Sequence, residues 1–158
     1  MRALLASIAA AVSAPALAQD ASDTSQDLEW MSEQQAYLAR LSAQDGWRWM
    51  PGGLKYRFVG ERADGPSPSV ADTVTLHYRG TLIDGTVFDS SYDRGEPATF
   101  PLGRLIRGWQ MAVPQMGVGD TIEVAIPADL AYGPVGRGPI PGGATLLFTI
   151  ELLGIGEE

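Results

Sequence analysis

The chain has 158 residues, no cysteine, a single histidine, and 11 basic against 19 acidic side chains, for a formal charge of −8. Disulfides, thiolate zinc sites and thiol catalysis are therefore excluded, one histidine is too few for a histidine-based metal centre, and a nucleic-acid binder would need the basic face that this balance denies. With 45% hydrophobic and only 19% charged residues the chain can build a core, and its 19 glycines and 11 prolines point to many short strands rather than long helices.

Met1 to Ala18 has the pattern of a secretory signal. Arg2 supplies the positive charge, Leu4 to Val12 is apolar apart from Ser7, and Ala16-Leu17-Ala18 is a small-x-small cleavage site. The apolar run is too short to anchor the chain across a bilayer. No cysteine follows the site, so a lipid-anchored form is not expected. An exported chain without disulfides points to a bacterial periplasm. Gln19 to Asp27 is rich in Asp, Ser and Thr and is expected to be a flexible acidic tether. Leu28 to Ser42 lacks Gly and Pro and is predicted helical. Leu28, Met31 and Leu38 lie along one face, with Trp30, Tyr37 and Leu41 along an adjacent one. So broad an apolar surface must pack on something, either its own domain or a second copy. The division is thus 1–18 signal, 19–50 tether plus helix, and 51–158 main domain, and either a monomer or a dimer is compatible with it.

From Pro51 onward the apolar period becomes two. Leu54, Tyr56 and Phe58 alternate with Lys55 and Arg57. Val74, Leu76 and Tyr78 alternate with Thr75, His77 and Arg79. Ile122, Val124 and Ile126 form a third run, and Leu146, Phe148, Ile150 and Leu152 a fourth. Each predicts an antiparallel strand with one buried and one wet face. Asp84-Gly85, between Leu82-Ile83 and Val87-Phe88, predicts a hairpin. Leu105 to Val113 predicts one short helix stopped by Pro114. The fold class expected is α+β: a bent antiparallel sheet wrapped around one short helix, preceded by a short N-terminal helix.

Most reaction chemistry lacks parts. His77 shares the outward parity of Thr75 and Arg79, which argues against a histidine base. No Gly-x-Ser-x-Gly elbow is present. Pro134, Pro139 and Pro141 remove the backbone donors that a phosphate loop at Gly133 to Gly143 would need. Asp89 and Asp93, the nearest paired carboxylates, have no cleft-forming length of chain beside them. No metal or cofactor is implied. What remains is aromatic: Tyr78, Phe88, Trp109, Tyr132 and Phe148 fall at inward strand parity, on the short helix or in the adjoining loop. They fit either an ordinary core or a shallow apolar pocket for a small ligand.

Several segments resemble the FKBP-type peptidyl-prolyl isomerases. They are Val74-Thr-Leu-His-Tyr-Arg-Gly80, Asp84-Gly85, Phe88-Asp-Ser-Ser91 with Arg94, and Leu105-Ile-Arg-Gly-Trp109. Gln115-Met-Gly-Val-Gly119, Asp129-Leu-Ala-Tyr-Gly133, Ile140-Pro141 and Ala144-Thr-Leu-Leu-Phe148 follow in the family's order and at compatible spacing, covering roughly Gly53 to Ile155. The segment Arg40 to Tyr56 is similar to that of exported bacterial members. The resemblance implies a strongly bent antiparallel sheet around a short helix, and acceleration of rotation about X–Pro bonds without cofactor. It implies that the substrate proline rests on Trp109, that Tyr78, Phe88, Leu105, Ile106 and Phe148 form apolar walls, and that the Ile106 N–H and the Tyr132 hydroxyl bond the flanking carbonyls. Asp89, oriented by Arg94 and Tyr78, would lie at the pocket edge, and Gly133 to Gly142 with Ile140 would be a flap. The implied partners are proline-containing unfolded or nascent exported polypeptides, and macrolides as inhibitors. A chaperone or binding module with weak isomerase activity is the alternative on the same fold. Three departures stand out. Ala98 replaces an aromatic residue found in many members, which opens one wall. Arg137 replaces a histidine found in several. Leu102 to Ile106 is one residue shorter than in many eukaryotic members.

Overall fold

A computed structural model describes residues 27–156. The signal assigned to Met1–Ala18 and most of the acidic tether lie outside the described residues. The chain runs through helix α1 (Leu28–Arg40) and strands β1 (Arg48–Trp49), β2 (Lys55–Val59), β3 (Thr73–Thr81) and β4 (Val87–Ser90). The one-turn helix α2 (Ser91–Arg94), β5 (Ala98–Pro101), α3 (Arg107–Ala112), β6 (Thr121–Ile126) and β7 (Leu146–Gly156) follow.

All seven strands join one antiparallel sheet, six of them in the order β1-β2-β6-β7-β3-β4 and β5 paired beside β4 on β3. The free edge of β3 is shared end to end: Thr73 to Leu76 pair with β5, and Arg79 to Thr81 with β4. Between them the ladder is interrupted at Tyr78. The fully buried Ser91 Oγ accepts from the Tyr78 N–H at 2.7 Å, so the gap leaves no orphan donor. This serine begins α2, and the neighbouring Ser90 side chain caps that helix by accepting from the Asp93 N–H.

Period-two patterning holds along β3 and β7. Val74, Leu76 and Tyr78, then Leu146, Phe148, Ile150 and Leu152, are buried while their neighbours are not. They share one core with Trp109, Ala112 and Val113 of the α3 segment, so the sheet's inner face is closed by that short helix. Each fully buried Leu or Ile contributes about 1.5–3 kcal/mol. α3 lies very close to β6: a Cβ on Gly108 would fall 2.5 Å from Ile126 Cγ2. The helix is shorter than predicted, spanning Arg107–Ala112. Pro114 does not end the turning backbone there but sits inside a following 3₁₀ turn, Val113–Gln115, where its missing N–H costs nothing. The hairpin at Asp84-Gly85 forms with a longer loop than expected. The strands stop at Thr81 and resume at Val87, and the Asp84 carboxylate accepts from the Thr86 N–H at 2.9 Å.

Two sequence expectations need correction on the outer face. Strand parity puts Lys55 on the wet side of β2, yet it is buried, because α1 packs over it. Its ammonium donates to the carbonyls of Leu38 and Leu41 at 2.7 and 2.8 Å and lies 4.9 Å from the Trp49 ring centre. A cation at the C-terminal end of α1 also interacts favourably with the negative end of the helix dipole. The apolar face of α1 is also different from the one drawn. Trp30, Gln34, Tyr37, Leu38 and Leu41 turn inward, whereas Leu28 and Met31 are exposed. The polar Gln34 is the most buried residue of α1, and its Oε1 accepts from the Thr145 N–H at 2.8 Å. Trp30 Nε1 donates to the Gly142 carbonyl at 3.1 Å. α1 therefore packs on its own domain. The sheet begins at Arg48, ahead of Pro51.

Candidate functional site

The inner face of the sheet and α3 enclose a cavity of about 480 Å³. Its floor is Trp109, which is 4% exposed. Three rings meet the indole edge-on: Tyr78 at 5.2 Å between centroids, Phe148 at 5.1 Å and Phe100 at 6.4 Å. Such T-shaped contacts fix ring orientation as well as position. Phe88 packs against Phe148 at 5.5 Å and 88°. That pair requires Gly80, where a Cβ would fall 2.5 Å from Phe88 and 2.7 Å from Phe148. The wall is thus built by inward parity on β3 and β7 and by the absence of one side chain between them.

Polar groups are few and specifically placed. Tyr78 Oη donates to Asp89 Oδ2, and Arg94 donates from one terminal nitrogen to Asp89 Oδ1 and from the other to Tyr78 Oη at 3.0 Å. Burial first, and the Asp89 carboxylate second, push the Tyr78 phenol above its ordinary 10.0. It therefore remains a proton donor to Asp89 across the neutral range. Leu105 and Ile106 lead into α3, and the Ile106 N–H meets no acceptor among the described residues. The Tyr132 hydroxyl likewise makes no hydrogen bond within them. Trp109 Nε1 is buried and has no partner among the described residues.

A loop from Gly133 to Gly143 closes the remaining side. Gly143 N–H donates to the Gly133 carbonyl at 2.9 Å at its base, and Arg137 and Ile140 exchange both backbone bonds at 2.9 Å near its tip. Ile140 turns into the cavity and is 6% exposed.

Nine of the ten residues singled out from the sequence line this cavity: Tyr78, Phe88, Asp89, Leu105, Ile106, Trp109, Tyr132, Ile140 and Phe148. Arg94 stands behind Asp89 and does not line it. Phe100, Arg104, Arg137, Gly138 and Pro139 also line it and were not among the ten. Phe100 was findable, since it shares the parity of Ala98 and pairs across from the inward Val74. Ala98 itself packs against the core and contributes no wall. His77 is half-buried on the opposite face of β3, stacked 4.6 Å from Tyr92 and 2.9 Å from Ser91 Oγ, away from the cavity. Among the described residues no group of three His, Asp or Glu is arranged to hold a metal.

Residues 65–153 match the family described as FKBP-type peptidyl-prolyl cis-trans isomerase. The chain is 48% identical over 119 residues to the FKBP-type peptidyl-prolyl cis-trans isomerase FkpA of Aeromonas hydrophila, covering 75% of this chain and 44% of that one. It is 47% identical over 122 residues to the outer membrane protein MIP of Legionella longbeachae, covering 76% and 52%. The crystal structure of FkpA from Escherichia coli superposes with a TM-score of 0.75 at 40% identity, covering 78% of this chain and 58% of that one. A peptidyl-prolyl cis-trans isomerase from Pseudomonas syringae pv. tomato gives 0.73 at 30% identity, covering 80% and 93%. The chain spans about half the length of the curated relatives it matches. With its aromatic cavity, antiparallel sheet and matching sequence, the chain belongs to the FKBP-type peptidyl-prolyl cis-trans isomerase family.

Proposed function

We propose that the protein is a peptidyl-prolyl cis-trans isomerase that acts on proline-containing exported polypeptides by a non-covalent route. The observation that carries this reading is the aromatic cavity over Trp109, beside which the Ile106 N–H and the Tyr132 hydroxyl have no partner among the described residues. The reaction needs nothing more reactive. Rotation about an X–Pro bond has a barrier of about 18–20 kcal/mol and takes tens of seconds unaided. The planar amide is stabilised by resonance and is more polar than the twisted state. An apolar floor that excludes water therefore favours the twisted state relative to solution. Donors that hold the flanking carbonyls keep the bond in place while it turns. A 10⁵-fold acceleration requires only about 7 kcal/mol off the barrier.

In this reading Trp109 receives the proline ring and Tyr78, Phe88, Leu105, Ile106 and Phe148 wall it. Asp89, held by Tyr78 and Arg94, sets the polarity of one edge, and Ile140 closes the flap. The compartment is the periplasm. Support comes from the signal-like Met1–Ala18 and from a relative named an outer membrane protein. Among the described residues no helix is long and apolar enough to cross a membrane. Macrolides that fill the same cavity should compete with substrate.

A protease-free isomerisation assay on the purified protein with a panel of X–Pro peptides tests the proposal. Turnover well above the uncatalysed rate, reduced by a macrolide and partly reduced in Tyr132→Phe, is the expected result. Background turnover from folded protein would leave a binding module in its place.

A further inference from the structure

The chain is strongly acidic, yet the mouth of its cavity is not. Of the charged residues that line it, Arg104 and Arg137 are cations and Asp89 is the one anion. Asp89 is already held by Arg94 and Tyr78. Neither Arg104 nor Arg137 has a carboxylate partner among the described residues, where the ion pairs are Arg57–Glu123, Arg62–Asp120 and Arg94–Asp89. Both arginines line the same cavity as the groups that would hold substrate backbone. Arg104 stands two residues before Ile106, whose N–H is unpaired. Arg137 lies 5.9 Å from the ring centre of Tyr132, whose hydroxyl is unpaired.

We infer that Arg104 and Arg137 are specificity-determining residues that favour clients with an acidic side chain next to the proline. The inference rests on the substrate-binding reading given above and deepens it. Side chains flanking the proline leave the cavity where the backbone is held, which is where the two cations stand. The overall negative charge does not cancel this preference. At physiological ionic strength it is screened over about 8 Å, whereas the two guanidiniums are within contact reach of a bound peptide. Exposed charge pairs are individually weak, so each arginine should change relative turnover by about threefold, not by orders of magnitude.

The test uses the full protein and three peptides that differ only in the residue before proline, Glu, Leu or Lys, with a second set varied after proline. The expected result is a kcat/KM for the Glu peptide several-fold above that for the Lys peptide in at least one set. The ratio should fall toward one in 0.5 M salt. It should fall likewise in the Arg104→Gln/Arg137→Gln double variant when each rate is divided by that variant's own Leu-peptide rate. A wild-type Glu-to-Lys ratio of one or below in both sets overturns the inference, as does a ratio that survives either 0.5 M salt or the double substitution in folded protein. In either case turnover of the Leu peptide leaves the site assignment standing. Absence of Leu-peptide turnover removes the site assignment instead, and this inference with it. If the double variant fails to fold, the salt dependence of the wild-type ratio decides the matter.

Discussion

Two aspartates show how similar chemistry serves different ends in this protein. Asp120 and Asp89 each accept from an arginine and from at least one further donor. Asp120 is 1% exposed, and both its oxygens are taken up by backbone and cation: Ala63 N–H at 2.7 Å, Gly117 N–H at 2.8 Å and Arg62 Nε at 3.1 Å. It ties the segment after β2 to the turn before β6. Burial alone would raise its pKa, but the Gly117 and Ala63 N–H groups and the Arg62 guanidinium outweigh burial and hold it below 3.8. Asp89 is partnered by side chains alone and keeps one side on the cavity. A carboxylate whose partners are backbone donors from two loops holds loops together. One whose partners are side chains at a cavity edge can present charge to a ligand.

The comparison can be pressed by substitution. Trp109→Ala should have the largest effect, because it removes the floor common to core and cavity. The expected loss is about 3–5 kcal/mol in urea unfolding, with turnover falling further than in Tyr132→Phe. Asp120→Ala should follow at about 1–3 kcal/mol, since it strands the buried Gly117 N–H. Asp89→Ala should cost under about 1 kcal/mol, because the Arg94–Asp89 pair is nearly half exposed on both sides. Wild-type stability should respond to pH at the extremes only. Asp120, depressed on folding, stabilises above pH 3.8 and loses its contribution as pH falls below that value. Tyr78 and Tyr92 are raised on folding, Tyr92 to about 12 through burial and then the Glu151 carboxylate. Their contribution is intact below pH 10 and is lost as pH climbs toward 12. Urea midpoints measured from pH 3 to 11 should therefore be level between about 5 and 9, whereas a broad fall through neutral pH would indicate a titrating group not accounted for.

The sequence disclosed the parts of the fold that depend on local periodicity. Alternation along β3 and β7 correctly sorted Tyr78 and Phe148 inward and His77 outward. Local patterning fails where a distant segment covers a surface. Lys55 has the parity of a wet position and is buried because α1 lies over it. Leu28 and Met31 are apolar yet exposed, because the inward stripe of α1 is centred on the polar Gln34. Nothing in a helical wheel ranks a glutamine above a leucine; its bond to the Thr145 N–H, 111 residues away, decides the face. The cavity shows the same division. The aromatic walls follow from strand parity and from the family's motifs. The role of Ser91 in bridging the interrupted ladder, and the place of Arg104 at the same mouth as Arg137 of the flap, follow only from how the elements come together.

Asp89 at the cavity edge serves a ligand, whereas Asp120 at its loop junction serves the fold. The most direct measurement compares kcat/KM and the melting temperature of Asp89→Ala and Asp120→Ala with wild type, at a temperature where all three are folded. Asp89→Ala should lower kcat/KM by about tenfold, equivalent to about 1.4 kcal/mol of transition-state stabilisation, with little change in melting temperature. Asp120→Ala should melt several degrees lower yet retain wild-type kcat/KM. Wild-type turnover in Asp89→Ala, or an equal loss of turnover in folded Asp120→Ala, would contradict this division of roles.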